Sequence, residues 1–198
     1  MTGRDRYRQA LDLFGTVVDG VDDTAWANPS PCDGWSAAAV VGHVIHGSRI
    51  ILAIATGEPP VPPAGDPTAV AGEDPARAWH ARRAEIEQIL DGLDLDALVD
   101  TAQGVMRIDD GLGRAVIEPL VHAWDLATAT GRDLRLPDQL VTLLLAGLEP
   151  VEGLLRTSGM FADRVHLPSH APDQQRLLAP LGRNGDLTGG KPGVSRQY

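Results

Sequence analysis

Between Ser36 and Gly57 stand twenty residues, AAAVVGHVIHGSRIILAIAT, that are apolar on nearly every face of a helix. Ser36 offers an N-cap oxygen and Gly57 a stop. A helix without a polar side has to be surrounded, so this one is expected to lie deep in a core. No uninterrupted apolar run of membrane-spanning length exists in the sequence, so that core must come from the chain's own remaining elements.

Those elements read as helices. Residues 4 to 21 carry Tyr7, Leu11, Leu13, Phe14, Val17, Val18 and Val21 at helical spacing. A loop rich in Asp, Asn, Pro and Gly follows (DDTAWANPSPCDGW). After the apolar helix, GEPPVPPAGDP is a proline-rich crossover. Asp74 then caps a third helix that opens on Pro75 and runs to about Leu93. The stretch from Asp94 to Gly111 is ambiguous, and Val105, Met106 and Ile108 fit a short extended piece. A fourth helix is expected from about Arg114 to Thr130, stopped by Gly131. A fifth begins near Pro137 and carries Leu140, Val141, Leu144, Leu145, Leu148, Val151, Leu154 and Leu155. Beyond Gly159 only the piece from Arg176 to Leu181 is apolar, and NGDLTGGKPGVSRQY reads as a flexible tail.

The predicted architecture is all-α: a four-helix-bundle core with an additional helical segment and an extended C-terminal arm. Residues 1–158 would form the bundle, 159–185 an arm packing on it, and 186–198 the tail.

Charge and special residues narrow the function. With a net charge of −10 and no basic cluster, the chain lacks what a phosphate backbone requires, so nucleic acid is not an expected partner. Lys191, in the tail, is the only lysine, which excludes Schiff-base chemistry on a buried amine. Cys32 is the single cysteine, so no internal disulfide forms, in keeping with a reducing compartment. The N-terminus, MTGRDRYRQ, turns directly into an amphipathic pattern without a signal-peptide apolar region. A cytoplasmic protein acting on a small molecule, with no membrane partner, is the expectation. Apolar surface on the first or fifth helix is compatible with a homodimer.

The chemistry centres on a spacing. Glu118 and His122 lie four residues apart in VIEPLVHAWDLATATG, which stacks them on one helical face. His43, in the apolar helix, is placed to bring a third donor, and an imidazole buried there needs a partner: a carbonyl, a carboxylate or a metal. Bundle cores build metal sites from such residues on facing helices. Pro119 is compatible with this if the helix starts near Ala115 or Val116, where its missing amide has no acceptor to lose. Asp125, three residues past His122, can accept the second ring N–H of a ligating histidine and fix its tautomer. Trp124 is expected to pack. Cys32 offers a soft ligand, with packing beside the loop aspartate the favoured expectation, and His80, His166 and His170 are expected to be solvated or in loops. His46 and Arg183 are the candidates for substrate contact, with Arg176 a further arginine in the arm. Without a metal, the Glu118–His122 pair is an ordinary surface pair or a satisfied core histidine.

These residues also carry a resemblance. PCDGWSAAAVVGH and EPLVHAWDLATATG resemble the paired motifs of the DinB-like, mycothiol-dependent maleylpyruvate isomerase group of metal-binding proteins, and RLLAPLGRNG resembles the end of its single-domain members. The resemblance implies a four-helix bundle holding a divalent metal, commonly zinc, on His43, Glu118 and His122, completed by water. It implies activation of a low-molecular-weight thiol, mycothiol or bacillithiol, for transfer to an electrophile or for isomerisation. The isomerase itself has a further C-terminal domain where this chain has a short arm, which separates the chain from maleylpyruvate as a specific substrate. The ligand types alone also permit nickel, manganese or iron. They leave open a metal-dependent hydrolase, a tailoring enzyme of secondary metabolism, or a non-catalytic metal-binding stress or regulatory protein.

Overall fold

The computed structural model describes residues 1–101, 104–148 and 164–185. They fall into two compact units, Met1–Thr130 and Gly131–Tyr198.

In the first unit, α1 (Gly3–Asp19) starts at a capping box in which Thr2 Oγ accepts from the Asp5 amide and Asp5 accepts from the Thr2 amide. The apolar helix α2 occupies Ala37–Thr56, capped by Ser36 Oγ on the Ala39 amide and ended by Gly57 at φ 71°. A five-residue helix, α3 (Pro67–Ala71), lies within the proline-rich crossover, where no helix was expected. It packs so closely on α2 that a Cβ at Gly42 would fall 1.8 Å from the Pro67 carbonyl oxygen. Helix α4 (Pro75–Gly92) has Asp74 on the Arg77 amide and Pro75 at its first position, as the sequence implies.

The ambiguous stretch resolves into an antiparallel pair, β1 (Leu98–Thr101) and β2 (Gly104–Arg107), with Leu98 facing Arg107 and Thr101 facing Gly104. The all-α expectation therefore holds for the core and is supplemented by one small sheet. Ile108 is not extended but begins α5 (Ile108–Ala115). The expected fourth helix is α6 (Ile117–Ala129), beginning about three residues later than Arg114, and the separate α5 before it meets it at Val116. Pro119 explains the break: its ring would clash with the carbonyl one turn earlier, so a new helix starts just before it. As the third residue of α6, Pro119 gives up no helical hydrogen bond.

Helices α1, α2, α4 and α6 form the four-helix core, with α1 touching α4 and α6, and α2 touching the same two from the other side. Phe14 meets Trp79 edge-to-face at 4.7 Å between ring centroids, and both are fully buried. Arg8 and Arg83 pair with Glu87, and Arg83 also with Asp12 at 2.7 Å, along the α1–α4 seam. Within the core Arg82 is nearly buried, donating from Nε to Ser48 Oγ at 2.8 Å and from a terminal nitrogen to Glu85.

Helix α2 is long and apolar enough to span a membrane by length and composition, but most of it is buried inside this bundle. It is not buried all round, which corrects the sequence expectation. His43 and His46 are half-buried, and Ile50 and Ile54 are exposed, so one face of α2 opens outward.

In the second unit, α7 (Asp138–Leu148) packs on α8 (Asp173–Leu178), which continues as a 3₁₀ turn over Ala179–Leu181. Gln174 ties the two ends of this unit together, donating to the Leu134 carbonyl and accepting from the Leu136 amide. Val151, Leu154 and Leu155 of the expected fifth helix, and the tail at 186–198, lie outside the described residues.

Candidate metal centre

Two helices aim three donors at one point. From α2, His43 Nε2 lies 2.6 Å from Glu118 Oε1 on α6. One turn along α6, His122 Nε2 lies 3.9 Å from the same oxygen. The two imidazoles meet edge to face, with ring centroids 4.7 Å apart and planes at 76°. One donor atom from each of His43, Glu118 and His122 lies within 4.8 Å of the others. The structure thus brings together the three residues that spacing and resemblance singled out.

The donor set fits a divalent cation. Tetrahedral zinc with bonds of ~2.0–2.1 Å needs donor atoms roughly 3.3 Å apart, and the observed separations bracket that value. Two neutral imidazoles and one carboxylate suit zinc, and also nickel, manganese or iron. The backbone leaves room for the carboxylate: a Cβ at Gly47 would lie 3.0 Å from Glu118 Oε1. That cradle was not read from the sequence. Its signal is a glycine inside a helix, one turn past His43, where alanine would otherwise be favoured.

His122 is held from behind. Its Nδ1 lies 2.9 Å from Asp125 Oδ2, and the Asp125 carboxylate is wholly buried. With Nδ1 carrying the hydrogen, Nε2 keeps its lone pair toward Glu118 and His43. Cys32 Sγ is 3.3 Å from the same Asp125 oxygen and 4.0 Å from His122 Nδ1, on the ring edge away from Glu118. It sits among polar partners, where packing was the favoured expectation.

Trp35 covers the other imidazole. Its ring centroid is 4.6 Å from that of His43 and 6.2 Å from that of His122. Beside them a cavity of about 430 Å³ is lined by Trp35, His43, His46, Ile50, Val61 and Pro63, with Ala64 to Pro67 at its edge. His46 Nε2 accepts the Ala64 amide at 3.2 Å and so pins the proline-rich crossover as a cavity wall. Tyr7 is buried near Glu118. Burial pushes its hydroxyl well above the ordinary tyrosine range, and the nearby Glu118 charge pushes it further.

Arg183 lies in the second unit and donates to the Leu181 carbonyl, and Arg176 there pairs with Asp173. Trp124 is buried, as expected. His80 is exposed and paired with Asp19, and His166 and His170 are exposed.

Comparison with known proteins bears on the family and the fold. A family model for the mycothiol maleylpyruvate isomerase N-terminal domain matches residues 7–127. An uncharacterized protein of Mycobacterium tuberculosis, found in two strains, is 28% identical over 179 residues, which is 89% of this chain and 95% of the relative. The crystal structure of a mycothiol-dependent maleylpyruvate isomerase aligns with a TM-score of 0.52 at 18% identity, over 74% of this chain and 68% of that one. At that identity the likeness bears on the fold, which is the DinB-like helical bundle.

Proposed function

The chain belongs to the mycothiol maleylpyruvate isomerase N-terminal domain family, and from that premise we propose that it is a divalent-metal-dependent thiol transferase or isomerase acting on a small electrophile. The observation that carries this reading is the convergence of His43 Nε2, Glu118 Oε1 and His122 Nε2 from two helices beside a cavity. A divalent cation bound there would supply Lewis acidity, lowering the pKa of a coordinated thiol or water so that a nucleophile exists at neutral pH. Zinc suits the donors best, and a low-molecular-weight thiol of the mycothiol type is the co-substrate the family suggests.

The chain's own residues do the rest. Asp125 holds the His122 tautomer that leaves Nε2 free to bind. Three side chains from two helices cannot surround an ion, so positions remain for a thiol and a substrate atom. Trp35, Ile50, Val61 and Pro63 make the cavity wall largely apolar, which favours an electrophile with a hydrocarbon body. His46 holds the Ala64 segment in place and contributes the polar edge. The arm arginines, Arg176 and Arg183, are paired within their own unit, and the proposal assigns them no role.

Purified protein loaded with zinc, incubated with mycothiol and a chromogenic electrophile, should turn over faster than the chelator-treated protein. The rate should be lost in Glu118→Gln. No metal-dependent rate with any of several thiols and electrophiles would overturn the enzymatic reading and leave a binding protein.

A further inference from the structure

The turn that carries Cys32 is a built structure. The Trp35 amide donates to the Cys32 carbonyl at 3.0 Å, the Cys32 amide to Ser30 Oγ at 3.2 Å, and the Ser30 amide to the Trp35 carbonyl at 2.9 Å. Residues Pro29 and Ser36 pair across its base, and Asn28 donates to the Ala129 carbonyl at the end of α6. One turn therefore sets two side chains, the Trp35 ring against His43 and the Cys32 thiol against Asp125 and His122.

A wholly buried carboxylate requires hydrogen-bond donors, and leaving one unmet is costly. Asp125 Oδ2 takes His122 Nδ1–H at 2.9 Å and Cys32 S–H at 3.3 Å on the same oxygen. The thiol is a weak donor, but it is a second partner on that oxygen, and two partners restrain its direction more than one does. The direction of the oxygen fixes the plane of the imidazole, and the plane fixes where Nε2 points.

We propose that Cys32 is a positioning residue for the metal centre: its S–H holds Asp125, which in turn holds His122 in the ligating orientation. The inference rests on the proposed metal site at His43, Glu118 and His122. A competing arrangement is visible, because Cys32, His122 and Asp125 also bring donor atoms within 4.8 Å of one another. A cation there would have to take His122 Nδ1, the nitrogen already engaged by Asp125, and would remove the hydrogen that keeps Nε2 a lone-pair donor. The hydrogen-bonded chain satisfies the buried carboxylate and the metal ligand together, so it is favoured.

The test is zinc affinity, read by equilibrium competition with a chromophoric chelator on untagged protein, for wild type, Cys32→Ala, Cys32→Ser, Asp125→Ala and the Cys32→Ala/Asp125→Ala double variant. Direct partners of a ligating histidine typically matter 10–100-fold, so Asp125→Ala should fall in that range and Cys32→Ala, one bond further out, should lose about fivefold. Cys32→Ser keeps a donor and should recover to within about twofold of wild type. In the Asp125→Ala background, Cys32→Ala should cost nothing more, since the link is already cut. An equal loss in both backgrounds would mean that the side chain merely packs, and would overturn the proposal. If Asp125→Ala does not fold, the Cys32 variants decide alone, and a serine as weak as alanine overturns it. A thiolate-to-cobalt charge-transfer band in cobalt-loaded wild type, absent from Cys32→Ala, would make Cys32 a ligand and overturn it too. A wild-type chain with no zinc affinity removes the metal site itself. Intact affinity that is indifferent to position 32 removes only this inference.

Discussion

A methyl group at position 47 would point at Glu118: a Cβ built there lies 3.0 Å from Oε1 and 3.6 Å from Cδ and Cγ. Unstrained contacts begin at roughly 3.5 Å, so in Gly47→Ala the carboxylate should retreat by about 0.5 Å. That is feasible, because the obstructing atoms are the far end of a flexible side chain and not backbone. Alanine in a helix interior is favoured over glycine by roughly 0.5–1 kcal/mol, so the metal-free protein should be as stable as wild type or slightly more so. For a unit of this size, 1 kcal/mol moves Tm by roughly 3–5 °C. Metal binding should move the other way. Sites tolerate displacements of only ~0.5 Å, and a loss of about tenfold in affinity, ~1.4 kcal/mol, is the expected scale. Thermal denaturation with and without zinc, together with chelator competition, reads both quantities. Wild-type zinc affinity in Gly47→Ala would refute the claim that Gly47 makes room for a ligand. A metal-free Tm lowered by more than a few degrees would refute the claim that only a side chain is displaced.

Three further perturbations probe the surroundings. Gly42→Ala forces a Cβ to within 1.8 Å of the Pro67 backbone oxygen, so α3 must detach or α2 must shift, and denaturant unfolding should show a loss of about 3 kcal/mol or more. Tyr7 has a folded pKa raised chiefly by burial, so its neutral form is the one the fold favours. Its contribution is complete below the unfolded value of about 10 and is lost as pH rises through the folded value. Stability measured at rising alkaline pH should therefore decline less in Tyr7→Phe than in wild type, and parallel declines would refute the assignment. Trp35 lies tilted against His43 at 4.6 Å between ring centroids, so zinc should alter the intrinsic fluorescence, and Trp35→Phe should abolish most of that change. A response that survives the substitution would place the metal elsewhere.

The bundle was legible because its signals are local. Ser36, Gly57, Asp74 and Pro75 cap and stop helices by chemistry that acts within one turn, and the structure places α2 and α4 where these residues say. The i, i+4 spacing of Glu118 and His122 is local as well. What escaped was decided by tertiary contact. The short α3 inside a proline-rich loop exists because Gly42 lets it approach α2. The extended reading held for Val105 and Met106 in β2 but not for Ile108, because α5 runs through two acidic residues and two glycines, Asp109 to Gly113, and is held by the burial of Ile108 and Leu112. The open face of α2 escaped for a similar reason. Hydropathy marks Ile50 and Ile54 as core-compatible, but nothing local says which side of a helix lacks a neighbour. Gly47 and Cys32 became meaningful only when α6 and the Ser30–Trp35 turn were placed against them.

The central claim is that one divalent metal is held by His43, Glu118 and His122. Elemental analysis of protein purified without a His tag, repeated on His43→Ala, Glu118→Gln and His122→Ala with folding checked by circular dichroism, tests it directly. Close to one equivalent of metal per chain is expected in wild type, with severe loss in each folded variant. Metal retained by both His43→Ala and His122→Ala, or no metal bound by wild type after loading with zinc, nickel, manganese or iron, would contradict it.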